Sequence, residues 1–349
     1  MKNPINTAII GFGLSGQVFH APFIRANPGF VLKTIVTQGD LAGKLYPATL
    51  ISRNFDEVLA DQQIELVIVA SPNRFHFEQA AQILRAGKHV IVEKPFTPTS
   101  AEAQQLIELA EKSDCLLFPF HNRRWDGDFL TLKQIISEGL LGEIRDYQVH
   151  FDRFNPVITR ASWRYSNTIA GGTLYDLGIH LIDQAVNLLG KPEGVFCRLF
   201  NQRAGSVVDD SFDLKLIYPK MNASLRASVF VKEPGPRFIV HGTQGSYIKY
   251  GIDPQEAALR EGKIPGSKNW GTEPVKNHGL LHTQAYGNLY RGKYKTLPGN
   301  YMAFFDNIYN TISGNEKPEV KAEEAMLNIQ IIEKAIESNR LKCIIPLNS

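Results

Sequence analysis

Lys94 lies between Glu93 and Pro95, directly after an apolar run, Val90-Ile91-Val92. Far downstream, Asp176 and His180 stand four residues apart. In a helix that spacing projects both side chains from one side. Imidazole titrates near neutral pH and can take a hydroxyl proton as hydride leaves carbon. A carboxylate beside it raises its basicity and fixes its orientation. Asp176 fits that role, and so does Asp183, about one turn further along. A lysine in an apolar crevice, flanked by Val92 and Phe96, can hold a ribose and donate to a substrate oxygen. Each residue also has an ordinary reading: a solvated lysine, a helix-capping aspartate, a packed helix histidine. Taken together they fit alcohol dehydrogenation without a metal.

That chemistry needs a hydride carrier, and the N-terminal region offers a place for one. Gly11-Phe12-Gly13-Leu14-Ser15-Gly16 matches G-x-G-x-x-G between a strand and a helix. Gly11 allows the tight turn, Gly13 lets backbone approach phosphates, and Gly16 permits close helix–strand packing. Leu14 belongs to the same loop. The second strand ends at Val36, followed by Thr37 and Gln38 rather than a carboxylate. A carboxylate there would bind the 2′-hydroxyl of NAD and repel the 2′-phosphate of NADP. The expectation is therefore NADP, with NAD as second choice because Asp40 is close and no arginine follows Thr37. Ser71-Pro72-Asn73 and His76 follow another strand and should also meet the cofactor. Asn73 can also cap the next helix while it meets the cofactor; for His76 the competing reading is a residue on the helix surface. Arg153, Trp163, Arg164 and Tyr175 bring donors and aromatic faces that suit a polyol ring.

These residues must be positioned by a large fold. A chain of 349 residues suits two domains. Its 43% apolar and 21% charged content is ordinary for a globular enzyme, and the net charge of +3 carries no nucleic-acid footprint. Cys115, Cys197 and Cys343 are too few and too scattered for a disulfide framework or a zinc site. The first strand follows Met1 so closely that no signal peptide is expected, nor is a membrane span, so the expected compartment is the cytoplasm.

Strands at Ile5–Ile10, Phe30–Val36, Glu65–Ala70, His89–Val92 and Leu116–Phe120 alternate with helical stretches. The helices are expected from Leu14 to before Asn27, over Arg74–Arg85 and over Ser100–Lys112, the last capped by Thr99 or Ser100. This predicts a doubly wound parallel sheet, an α/β Rossmann domain over residues 1–122. A helix at Phe129–Glu138 is followed by strand-like segments at Ile144–Phe154, Gly194–Arg203, Phe212–Tyr218, Ala223–Val231 and Phe238–His241. Gly242-Thr243-Gln244-Gly245 reads as a tight turn. Residues 123–349 are thus expected to form an α+β domain on a large, mainly antiparallel open-faced sheet. Tyr175–Leu189 is its inserted helix, Asp253–Gly299 an irregular extension, and Tyr301–Ile312 and Ala322–Asn339 are closing helices. Alternating strands such as Ala223–Val231 should leave one apolar face, and with it a homodimer or homotetramer.

The chain resembles the glucose–fructose oxidoreductase / inositol dehydrogenase / rhizopine catabolism family nearly end to end. The resemblance rests on GFGLSG, the SPN-to-His76 element, EKP and GGTLYDLGIHLID. HAPFI, HNRRWDGDFLTLKQII, HFDRF and VHGTQGSYIKYGIDPQEAALREG look like its bacterial NADP-dependent scyllo-inositol dehydrogenase branch. Thr173 follows two glycines where many members have a third. The resemblance implies Lys94, Asp176 and His180 as the catalytic set. It implies Gly11, Gly13, Gly16, Asn73, His76, Glu93 and Lys94 as cofactor residues, and an open-faced sheet used in oligomerisation. It also implies interconversion of a secondary alcohol and a ketone on a cyclic polyol. The rival expectations are a sugar 1-dehydrogenase or other cyclic-ketone reductase, and a non-catalytic dinucleotide sensor that binds a protein.

Overall fold

The structure, a computed structural model, describes residues 3–158, 169–287 and 289–347. The chain forms two compact units. One contains Met1–Asn122, Gln255–Trp270 and Asn300–Leu327; the other contains Arg123–Pro254, Gly271–Gly299 and Asn328–Ser349.

The first unit is built on β1 (Ile5–Ile10), β2 (Phe30–Val36), β3 (Leu50–Ser52), β4 (Leu66–Val69), β5 (His89–Val92) and β6 (Leu117–Pro119). All pair in parallel in the order β3-β2-β1-β4-β5-β6. Chain order reverses between β1 and β4, which makes a crevice outside their carboxyl ends. The continuous apolar runs of β4 and β5 are explained by burial on both faces. Their Val67, Val69, Val90 and Val92 share a core with Leu84 and Leu106.

The helices are α1 (Ala21–Ala26), α2 (Leu41–Leu45), α3 (Phe55–Ala60), α4 (His76–Arg85) and α5 (Ser100–Lys112). Thr99 rather than Ser100 caps α5, in a reciprocal box with Glu102. The first helix differs from expectation. It is a π-helical turn, Gly16–His20, running into α1. The short elements α2, β3 and α3 were not anticipated, being too brief to show periodicity.

The second unit holds β7 (Ile144–His150), β8 (Gly194–Phe200), β9 (Ser211–Ile217), β10 (Asn222–Ala227), β11 (Phe238–Gly242), β12 (Gly245–Lys249), β13 (Gly279–Thr283), β14 (Tyr290–Tyr294) and β15 (Ile345–Pro346). Their order is β14-β13-β12-β11-β7-β10-β9-β8-β15. Only the β7–β10 pair is parallel among these neighbours. The helices here are α6 (Gly127–Ser137) and α7 (Ile179–Leu189).

Two expectations are corrected in this unit. The stretch read as irregular contributes β13 and β14. β14, Tyr-Arg-Gly-Lys-Tyr, carries no apolar alternation, which is tolerated because it lies at the sheet edge, and β13 pairs between it and β12. The apolar side of β10 is also not on an open face. Ala223, Leu225 and Ala227 are buried, as are Phe212, Leu214 and Leu216 of β9. The opposite side of these two strands presents Asp213, Lys215, Asn222 and Arg226.

The later helices α8 (Gln255–Arg260) and α9 (Met302–Ile312) belong to the first unit, and α10 (Ala322–Leu341) follows them. Aromatic packing accounts for their return. Phe23 of α1 stacks on Phe305 at 5.1 Å and meets Trp270 edge-on. Among the described residues, no helix is long and apolar enough to cross a membrane.

Candidate active site

The glycine loop opens from the end of β1. Gly11 has φ +91°, and a Cβ there would lie 2.7 Å from the Ala70 carbonyl oxygen. Only glycine lets this turn pass so close to the end of β4. A Cβ on Gly16 would meet the Gly11 carbonyl oxygen at 2.4 Å, so the third glycine is needed for the helical turn to seat on the strand. Gly13 is different: a Cβ there would meet nothing within 4 Å. Its backbone is exposed beside the exposed Leu14. Open backbone in this place is what approach of a pyrophosphate requires, so the loop fits a dinucleotide.

The other predicted cofactor residues follow neighbouring strands: Thr37 and Gln38 after β2, Ser71, Pro72 and Asn73 after β4, Glu93 and Lys94 after β5. They are therefore gathered along one edge of the sheet. Ser71 donates its hydroxyl to Gln79 at 2.6 Å. Asn73 is buried in a short 3₁₀ turn that leads into α4. His76 is buried rather than on the helix surface. Its ring nitrogens lie 2.8 Å from the Pro95 carbonyl and 3.0 Å from the Ser71 carbonyl. It therefore braces two strand-end loops. Burial pushes its pKa down despite those two carbonyls.

Glu93 is nearly buried, and its carboxylate is engaged within the protein. One oxygen accepts from the Ser15 hydroxyl and lies 2.9 Å from His20 Nε2; the other accepts from the Lys94 N–H at 3.0 Å. Burial raises the pKa of such a carboxyl, but the His20 and Ser15 contacts outweigh it and hold the group below its ordinary value. The glycine loop, the π-helical turn and the lysine are thereby linked through one carboxylate. Lys94 itself is half-buried and joined to Pro95 by a cis peptide bond. His20, packed on Phe120 at 4.4 Å, had drawn no expectation of its own. Nothing in its spacing announces a partner so far along the chain.

In the second unit, Asp176 lies in a π-helical turn, Leu174–Gly178, that leads into α7. The turn borders a small cleft whose lining includes Arg153, Asn155, Thr173, Asp176, Arg203 and Ser228. Two of the predicted substrate residues, Arg153 and Asp176, are therefore brought to one cavity. Tyr175 and His180 are buried at 8% and 4% exposure and are not among its lining residues. Trp163 and Arg164 lie outside the described residues. Asp183 forms a two-point pair with Arg124, at 2.6 and 2.9 Å, and accepts from Asn328.

Sequence reasoning missed Asn155, Arg203 and Ser228. Asn155 and Ser228 come together because residues 153–155 pair irregularly with 228–229 beyond the ends of β7 and β10. Arg203 is fixed by Asp210, at 3.2 Å. Asp209 was missed too. Its carboxylate accepts the Leu174 N–H at 2.7 Å, and its carbonyl accepts the Thr173 N–H at 2.9 Å. Burial pushes its pKa up to about 6, against the pull of that Leu174 N–H. Gly172 has φ +93°, and a Cβ on it would lie 2.1 Å from Asp209 Oδ1. The Gly-Gly turn thus exists to let Asp209 hold the start of the Asp176 segment.

Comparison with known proteins bears on the whole chain. Residues 5–121 match the family described as "Oxidoreductase family, NAD-binding Rossmann fold", and residues 133–346 match its "C-terminal alpha/beta domain". The chain belongs to the GFO/IDH/MocA oxidoreductase family. This GFO/IDH/MocA member is 39% identical to scyllo-inositol 2-dehydrogenase (NADP(+)) IolW of Bacillus subtilis, over 98% of this chain and 96% of that one. It is 37% identical to the uncharacterized oxidoreductase YdgJ of Escherichia coli, over 97% of both. The structure of yvaA from Bacillus subtilis superimposes with a TM-score of 0.96 at 38% identity, covering all of both chains. The protein is thus a dehydrogenase-type oxidoreductase with an NAD-binding Rossmann domain.

Proposed function

We propose that this protein is an NADP(H)-dependent oxidoreductase that interconverts a secondary alcohol and a ketone on a cyclic polyol, with scyllo-inositol and its 2-keto partner as the first choice. The full-length similarity to an NADP-dependent scyllo-inositol 2-dehydrogenase is the observation that carries this reading. The cleft supports it. Its lining residues Arg153, Asn155, Arg203 and Ser228 supply hydrogen-bonding groups for a ring with hydroxyls on its rim.

The bound nicotinamide would give or take the hydride. His180 removes the hydroxyl proton in oxidation and returns it in reduction. Asp176 orients His180, while the two-point Arg124 pair and Asn328 give Asp183 a structural duty. Lys94 donates a hydrogen bond to the substrate oxygen and stabilises its developing charge. Glu93 positions Lys94 through the backbone N–H.

The test is a parallel screen of scyllo-inositol, myo-inositol, glucose and xylose at alkaline pH with NADP⁺ and NAD⁺. The fastest turnover is expected with scyllo-inositol and NADP⁺. Strong activity on an aldose with none on any inositol would reject the substrate. Thr37→Asp should shift preference toward NAD⁺ by placing a carboxylate at the 2′-phosphate. A wild-type enzyme with higher kcat/KM for NAD⁺ would overturn the cofactor assignment.

A further inference from the structure

An arginine that stands far from the glycine loop in sequence reaches the end of β2. Val36 is paired with Ser52, and the Thr37 N–H donates to the Ser52 carbonyl at 3.0 Å. Arg53 is thereby set beside Thr37 and Gln38. Gln38 donates its amide to the Arg53 carbonyl at 3.0 Å. The Arg53 guanidinium donates through Nη1 to the Gln38 carbonyl and through Nη2 to Asp40 Oδ1, the latter at 2.7 Å. The strand end therefore carries a cation, although no arginine follows Thr37 in sequence.

The pair is poorly explained as a stabilising feature. The Arg53 and Asp40 side chains are 58% and 82% exposed. Ion pairs this exposed contribute little to folding. Their chemistry is better matched to a ligand. A guanidinium presents a planar fork of donors that fits phosphate oxygens, and a dianionic phosphate attracts it more strongly than one carboxylate does. The carboxyl end of the second Rossmann strand is where the adenosine ribose is read. A lone carboxylate there selects against a 2′-phosphate; here Asp40 is neutralised by Arg53.

We propose that Arg53 recognises the 2′-phosphate of NADP(H), and that Asp40 is its competing counter-ion, so the pair sets how strongly NADP(H) is preferred. This rests on the NADP reading above and names the residues that would produce it. Arg53 leaves Asp40 for the phosphate, and the Thr37 and Gln38 side chains remain as neutral neighbours.

Calorimetric binding of adenosine 2′,5′-bisphosphate and of AMP tests this without turnover. The full chain is used as wild type, Arg53→Gln and Asp40→Asn. Wild type should bind the bisphosphate more tightly than AMP, and increasingly so at low salt. Loss of charge-assisted bonds to a phosphate should weaken bisphosphate binding by Arg53→Gln about 10–100-fold, with a far smaller effect on AMP. Asp40→Asn should tighten bisphosphate binding several-fold. If wild type does not distinguish the two nucleotides, the NADP reading fails and the inference falls with it. If wild type distinguishes them and Arg53→Gln does so equally well, the inference alone is overturned. Weaker bisphosphate binding by Asp40→Asn would overturn the competitor role.

Discussion

At the scale of single residues, the proton-transfer assignment and one buried carboxyl give separate tests. Removing a general acid–base group costs about 10²–10⁴-fold in rate. His180→Ala should therefore lose kcat by that order while still quenching or enhancing nicotinamide fluorescence on binding. Near wild-type turnover across pH would make His180 structural. Asp209 is tested by stability. Its folded pKa is about 6 against an ordinary value of 3.8. Between those values the folded state holds the extra proton, so this residue lowers stability as pH rises through that window and costs most above it. The shift corresponds to about 3 kcal/mol at most. Asp209→Asn keeps an acceptor for the Leu174 N–H and removes the charge. Its melting temperature should exceed wild type at pH 8 and converge with it near pH 4. A variant equally destabilised at both pH values would refute the buried-charge argument.

At the scale of elements, the Gly-Gly turn is the most exposed to a small change. Gly172→Ala adds a Cβ at φ +93° against the Asp209 carboxylate. The left-handed backbone alone costs about 1–2 kcal/mol, and the collision displaces either Asp209 or the turn that begins the Asp176 segment. Both stability and kcat should fall, by thermal melt and steady-state assay. A fall in stability alone would separate the turn from catalysis. The α5 cap offers a control outside the sites. Thr99→Ala removes one half of the Thr99–Glu102 box and should cost about 1 kcal/mol with unchanged kinetics.

For the whole molecule, the expectation is assembly into a homodimer or homotetramer. Simple apolar pairing of β10 cannot produce it, because the apolar side of that strand is internal. Ile239, Ile248 and Leu280 are only partly buried on β11, β12 and β13, whereas β9 and β10 carry Asp213, Lys215 and Arg226 on the side opposite their buried residues. An interface that used this mixed surface would weaken as salt screens its charges. Light scattering at micromolar protein should give a multiple of the chain mass at low salt. A monomer mass there would contradict assembly.

The sequence alone determined the elements that have strong local causes. The parallel strands announce themselves because burial on two faces demands continuous apolar runs such as Val90-Ile91-Val92. The glycine loop is legible because the left-handed φ of Gly11 and the contact of Gly16 with the Gly11 carbonyl are demands within one strand–turn–helix unit. The Asp176–His180 spacing is legible because it is helical, although the turn around Asp176 is π rather than α. Brief or edge elements were not legible: α2 and β3 are too short for a period, and β14 carries no apolar alternation. Tertiary structure decided the partners. Arg53 reaches Gln38 only because β3 pairs with β2; His20 and Ser15 reach Glu93 only because the glycine loop folds toward the end of β5; Arg203 and Ser228 reach the Asp176 cleft only through turns around β8–β10. Such contacts follow from strand register and chain return, and no local spacing encodes them. The same holds for α8 and α9, which join the first unit because Phe23 is covered by Trp270 and Phe305, an aromatic cluster assembled from distant parts of the chain.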